Sequence, residues 1–403
     1  MRNKRVTIIG AGLAGSEAAL LLSKHGFQVD LYDPKPVELL PAYELDSYAE
    51  LVCNNSFGLM RGDTPLGLLR CELNFLNSEL VHIANACRIS DEKYFAIDKK
   101  AFSNAVTEAL QKNGVRIHEE LVETLPKSRP LIVATGPLTG NRLVEDIADR
   151  FKISGYHFAD ASSPVVDITS INLRDSHVVK LSDDLYGVII PDTVFNAFEH
   201  DLSTAKISHE HAVDSPIVQY EKSHSIEQLA KYKDGSLKGR FVHPYFNENI
   251  LLMRREAALT SGFILVGCMT AMLHSEQKRI FSMLPGFQNC KIIKYGRMHR
   301  NTYFDSPQFL DHFYKTKKDD IYIIGQLSGV DGYLPAISSG FIAAYRIING
   351  ENALCFPTNT MVGALANYVS NEEVVDFQPM CASFSLLSEN YADYKASLKN
   401  FIL

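Results

Sequence analysis

The sequence predicts an α/β protein in which a parallel-sheet domain is interrupted by a second, inserted α/β domain. Three observations predict it. The chain has 403 residues, more than one hydrophobic core usually organises. Its opening segment, up to Asp33, reads as strand, glycine turn, helix and strand. Two later apolar strands, Leu131 to Pro137, ending in Ala-Thr-Gly, and Ile321 to Gln326, opening into further glycines, flank a long stretch of different texture.

Val6 to Ile9 is a short β-branched run of the kind a parallel sheet buries on both faces. Gly10-Ala11-Gly12-Leu13-Ala14-Gly15 follows at once, and Ser16 to His25 reads as helix, ended by Gly26. Gln28 to Tyr32 reads as the second strand, closed by Asp33. In this Rossmann-like arrangement Gly10 makes the tight turn, Gly12 lets the backbone approach a pyrophosphate, and Gly15 lets the helix pack on the strand. The helix N-terminus faces the phosphates and Asp33 accepts from a ribose. Dinucleotide binding is therefore expected. Two segments favour FAD over NAD: the strand at 131–137 carries Ala134-Thr135-Gly136 at its end, and the strand at 321–326, closing on Gly325-Gln326, opens into Gly329 and Asp331-Gly332-Tyr333 before a helix over Ala336 to Ile348. The expected division is a first part of the FAD-binding domain at 1–155, an inserted domain at 156–295 and a second part at 296–403, with no Pro/Gly linker marking the joins.

Composition narrows the function classes. A net charge of −7 argues against gripping a polyanion by bulk charge, so an RNA partner must meet a local patch. No stretch approaches the roughly 20 apolar residues of a membrane span. The seven cysteines (53, 71, 87, 268, 290, 355 and 381) form no CxxC pair, so neither a disulfide framework nor a zinc site is indicated, and a reducing cytoplasm is the expected setting.

Several segments carry a specific resemblance. They are Gly10 through Ala19, Ala49-Glu50-Leu51-Val52-Cys53-Asn54-Asn55-Ser56, Ala134-Thr135-Gly136-Pro137-Leu138-Thr139, Glu276-Gln277-Lys278-Arg279, Met298-His299-Arg300-Asn301-Thr302 and Ile324-Gly325-Gln326 through Tyr333. In this order, and on to Gly363 through Tyr368, the chain resembles the folate- and FAD-dependent RNA (uracil-5-)-methyltransferases. The resemblance implies FAD as cofactor, methylenetetrahydrofolate as one-carbon donor, NADPH or NADH as reductant, and structured RNA as substrate, methylated at C5 of a uracil. The best-known members act on the T-loop of tRNA, and one branch acts on large-subunit (23S) ribosomal RNA.

Uracil C5 becomes nucleophilic only after something adds to C6, and a thiolate suits that task. The resemblance implies Cys53 for it, with the other six cysteines in core or surface roles. The family's second cysteine sits in a Phe-Glu-Gly-Cys-Met-Pro-Ile-Glu stretch. Here that stretch is Tyr220-Glu221-Lys222-Ser223-His224-Ser225-Ile226-Glu227, with Ser223 in its place. A serine hydroxyl is a far weaker donor than a thiol. The neighbouring Gly267 through Gln277 departs as well, and the two departures favour ribosomal RNA over tRNA. Arg297, His299, Arg300 and Asn301 form a compact polar cluster for folate carboxylates, a pterin edge or an RNA phosphate. Lys278-Arg279 and Arg254-Arg255 are weaker RNA candidates, since such charge pairs ordinarily sit on solvated faces. Two competing readings are a flavin oxidoreductase acting on a small molecule and a paralogue that binds FAD or RNA without methylating.

Overall fold

A computed structural model of the chain describes all residues except 1–3, 38–42, 44, 53–54, 90–93, 162, 208–223, 233–234, 242–247, 256–260, 297, 375–376 and 389–392. The chain divides into two compact units, Met1–Tyr156 with Thr302–Leu403, and His157–Asn301.

The first unit is built on a five-stranded parallel sheet. Its order is Ile321–Ile323, Leu131–Val133, β1 (Arg5–Ile9), β2 (Gln28–Tyr32) and Arg116–His118. Ile8 lies opposite Leu31 on one side and Ile132 on the other. Ile8, Leu31, Ile132 and Tyr322 are all buried, as they must be when helices cover both faces of a parallel sheet. The first helix, α1 (Leu13–Lys24), begins three residues before the expected Ser16, because the turn is so tight that Gly12 is already its N-cap. The late helix, Tyr333–Asn349, likewise starts before the expected Ala336. It takes Pro335 into its first turn, where a missing N–H goes unnoticed. These two helices meet closely: a β-carbon on Gly340 would stand 2.2 Å from Ala14 O. Only glycine permits that approach.

The second unit carries a six-stranded sheet in the order Ile292–Lys294, Val165–Asp167, Gly262–Leu265, Asn249–Arg255, Leu185–Ile190 and Val178–Ser182, antiparallel throughout. Its core joins strand residues Val188, Leu251 and Phe263 to Phe195, Phe198, Phe241 and Phe281 from helices. Among the described residues, no helix is long and apolar enough to cross a membrane.

Two buried carboxylates in the first unit terminate distant helices. Glu17 of α1 accepts from Glu79 N–H (3.2 Å) and Leu80 N–H (2.8 Å) at the start of the Glu79–Ala86 helix. Glu72 accepts from Met361 N–H (2.9 Å) and Val362 N–H (2.8 Å) at the start of Met361–Tyr368. Burial pushes their carboxyls up, to about 8 for Glu17 and about 7 for Glu72, against the pull of those N–H groups. Acids whose folded pKa exceeds the unfolded value stabilise most below the unfolded pKa and lose that contribution as pH rises through the folded one. Thermal stability is therefore expected to fall by several degrees between pH 6 and pH 9, and Glu17→Gln should flatten the decline. A melting temperature that stays level or climbs over that range in the wild-type protein would contradict this account.

Candidate cofactor and substrate sites

The glycine turn separates three roles that spacing alone lumps together. Gly10 adopts φ +98, and a β-carbon there would stand 2.4 Å from Ala134 O. At Gly15 a β-carbon would stand 1.9 Å from Gly10 O. Both glycines serve close packing. Gly12 differs: its backbone is extended (φ −71, ψ −169), and no atom lies within 4 Å of where its β-carbon would be. That open space lies at the N-terminus of α1, which no side chain caps. Uncapped N–H groups and the helix dipole there suit an anion.

Asp33 holds the turn itself. Its carboxylate accepts from Ala11 N–H at 2.7 Å and Lys35 N–H at 3.0 Å. Burial pushes its carboxyl above the usual range, and these two N–H groups pull it back. The carbonyl of the same Ala11 accepts from Ala49 N–H at 2.9 Å. Ala49 has φ +53, a left-handed conformation rare for a residue with a β-carbon.

The other FAD candidates line the ends of neighbouring strands. Gly136 follows Leu131–Val133 with φ +74 and open space beside it, and its carbonyl accepts from Thr139 Oγ1 at 2.8 Å. Gly325 follows Ile321–Ile323 with φ +68, and its N–H donates to Ser339 Oγ at 2.8 Å. With its amide turned as its surroundings require, Gln326 donates to Asp331 Oδ1 at 3.2 Å and Val330 O at 3.3 Å. Gly332, at φ +102, is the N-cap of Tyr333–Asn349, again with no side-chain cap. Two long helices thus present bare N-termini in one unit, and an elongated diphosphate-bearing cofactor such as FAD fits that donor set.

In the second unit three of the motif segments are linked by hydrogen bonds. Glu227, buried, accepts from Thr270 Oγ1 at 2.9 Å and Ala271 N–H at 2.7 Å, and Ile226 N–H donates to Met269 O at 2.9 Å. The departures around Ser223 and within Gly267 to Gln277 therefore fall on segments that touch. Gln277 then clamps the peptide of Gly296: its Nε2 donates to Gly296 O at 2.8 Å and its Oε1 accepts Gly296 N–H at 2.9 Å. This fixes the approach to the strand Met298–Phe304, which carries His299, Arg300 and half-buried Asn301. Arg297, Ser223 and Cys53 lie outside the described residues.

Gln277 is a residue that sequence reasoning passed over in favour of its charged neighbours. The signal was its place with Ile280 and Phe281 on the buried side of His274–Phe281, a polar residue at helical spacing among apolar ones. Arg279 spends its guanidinium on Asp201 and on Glu276 at 2.8 Å, and Arg255 reaches Asp184 at 3.4 Å, so both behave as solvated ion-pair faces.

The described cysteines are unpaired. Burial raises the thiols of Cys87, Cys268 and Cys355, and pushes Cys290 up to about 12 and Cys381 up to about 11. None of these five is poised as a thiolate near neutral pH.

Parallel sheet, glycine turn and paired bare helix ends define an FAD-binding flavoenzyme of the Rossmann-like class with an inserted domain. The sequence matches the family described as Glucose inhibited division protein A over residues 5–352. The chain belongs to that family. A protein of Lactobacillus gasseri named methylenetetrahydrofolate–tRNA-(uracil-5-)-methyltransferase is 36% identical over 98% of this chain and 94% of its own length. One of Acetivibrio thermocellus with the same name is 35% identical over 95% and 92%. In fold, a crystal structure of Aquifex aeolicus GidA superposes with a TM-score of 0.69 at 15% identity, covering 98% of this chain and 75% of that one. The protein is thus an FAD-dependent enzyme of the methyltransferase kind.

Proposed function

We propose that the protein transfers a one-carbon unit from methylenetetrahydrofolate to C5 of a uracil in tRNA, with NADPH or NADH as reductant. The observation that carries this is identity above one-third, across nearly the whole chain, to methyltransferases of that name. The ribosomal RNA favoured by the altered 220–227 and 267–277 segments finds no support among these relatives, so tRNA becomes the first choice. Bound FAD supplies the hydride chemistry that brings the transferred carbon to the methyl level. Gly10, Gly12, Gly15, Asp33, Gly136, Gly325, Gln326, Asp331 and Gly332 are proposed to hold it, Gly12 by leaving room and Asp33 by fixing the turn.

Cys53 is proposed to add to uracil C6 as a thiolate, making C5 nucleophilic, and to leave once a base has taken the C5 proton. The raised thiols elsewhere support that choice by leaving few other candidates. Arg297, His299, Arg300 and Asn301 are proposed to take the folate carboxylates or RNA phosphates, with Gln277 setting their strand. The unpaired cysteines accord with a reducing cytoplasm.

Mass mapping of 5-methyluridine in cells with and without the gene tests the substrate. The mark is expected to vanish from tRNA when the gene is removed. Its loss from 23S ribosomal RNA alone would restore the earlier preference.

A further inference from the structure

We propose that the buried Lys35–Glu50 ion pair is a positioning element for the dinucleotide turn, acting through the strap of residues 45–50. This rests on the reading of that turn as the FAD site. Lys35 Nζ and Glu50 Oε2 are 2.8 Å apart, with side chains 6% and 1% exposed. The ammonium spends its three protons on Glu50, on Leu45 O at 2.9 Å and on Ser47 O at 3.2 Å, while the Tyr43 ring lies 3.9 Å away. Glu50 Oε2 in turn accepts Leu45 N–H at 3.2 Å. The strap is also docked on the helix Lys99–Lys112: Tyr48 N–H donates to Thr107 Oγ1 at 2.9 Å, and Ser103 Oγ donates to Tyr48 O at 2.5 Å.

All of this converges on one bond to the turn. Ala49, held left-handed, donates its N–H to Ala11 O at 2.9 Å, while Asp33 holds Ala11 N–H at 2.7 Å. In a trans peptide the N–H points opposite to the C=O. The Ala11 carbonyl also accepts from Ser16 Oγ of α1 at 3.0 Å, and the strap adds the second bond that fixes it; with the carbonyl so held, the Gly12 N–H is aimed away from the strap, and the space beside Gly12 is open. A buried ion pair seldom stabilises more than an apolar pair of equal volume would. A left-handed alanine persists only where its surroundings over-determine it. Both features are poor choices for stability alone and good ones for holding a single peptide orientation.

The double variant Lys35→Met/Glu50→Gln keeps the volume of the knot and one carbonyl to accept Leu45 N–H, while removing the ion pair. Apoprotein melting and FAD titration followed by flavin fluorescence then separate the two roles. The expected result is a melting temperature within a few degrees of wild type and an FAD Kd at least tenfold higher. A folded double variant that binds FAD within twofold of wild type would overturn the inference. Should that variant not fold, hydrogen exchange on the wild-type protein decides: FAD is expected to slow exchange of the Gly12 and Ala49 amides, and unchanged rates in both would refute the coupling. Wild-type protein that took up no FAD would instead remove the reading of the turn, and the positioning role with it.

Discussion

A Gly12→Val protein is expected to fold normally and to purify colourless. Its backbone at this position is already extended, which valine adopts readily, and no protein atom stands within 4 Å of the added β-carbon. The side chain would instead fill the space at the bare N-terminus of α1 that a diphosphate needs. A loss of FAD affinity of a hundredfold or more, about 2.7 kcal/mol, is the expected size. The neighbouring glycines give the contrast. Alanine at Gly10 or Gly15 would drive a β-carbon to 2.4 Å or 1.9 Å from backbone oxygen, so those variants should lose the fold along with the colour. Far-ultraviolet circular dichroism with a flavin-to-protein ratio on purified material reads both properties. Full flavin occupancy in Gly12→Val would show that the cofactor lies elsewhere.

Cys53→Ala is expected to abolish methyl transfer, by a factor on the order of 10³ or more, while leaving FAD bound. Burial raises the thiols of Cys268, Cys290 and Cys381 and makes them poor substitutes as thiolate nucleophiles. Ser223→Ala should cost less than about tenfold, or roughly 1.4 kcal/mol of barrier. Single-turnover assays with prereduced flavin isolate the methyl step from the nicotinamide step. The reverse ranking of the two variants would mean that the Ser223 hydroxyl, activated by a neighbour such as His224, had replaced the missing thiol.

The turn from β1 into α1 was legible because its constraints are local: glycine spacing, a β-branched strand and an acid at the end of the next strand are all set by backbone geometry over a few residues. The same locality explains the small errors. Nothing in Leu13 to Gly15 announces a helix start, since the cap there is the bare backbone of Gly12. What stayed hidden depends on segments far apart in sequence. The place of Asp33 after the second strand suggests a ribose partner, but its bonds to Ala11 and Lys35 N–H, which brace the turn, exist only once the turn has folded. Lys35 and Glu50 read as two unremarkable charges until the chain buries them together. The antiparallel order of the second sheet has no counterpart in periodicity, which reports the faces of a strand and not its partner.

The strand order of the parallel sheet sets the order in which the molecule can be completed. Leu131–Val133 has β1 on one side, and on the other a strand, Ile321–Ile323, that leaves the ribosome only after the whole of His157–Asn301. The N–H groups that Glu72 satisfies come later still, at Met361 and Val362. Between the synthesis of Leu131–Val133 and that of Ile321–Ile323 the first unit therefore carries an open strand edge, and Glu72 waits longer still for its helix, whereas the second unit is contiguous in sequence and can close once Asn301 has been made. Unpaired edges of this kind invite pairing with other chains. The proposed FAD cradle draws on Gly325, Gln326 and Gly332 as well as the opening turn, so on that reading affinity for FAD is expected to mature only once these late residues are in place.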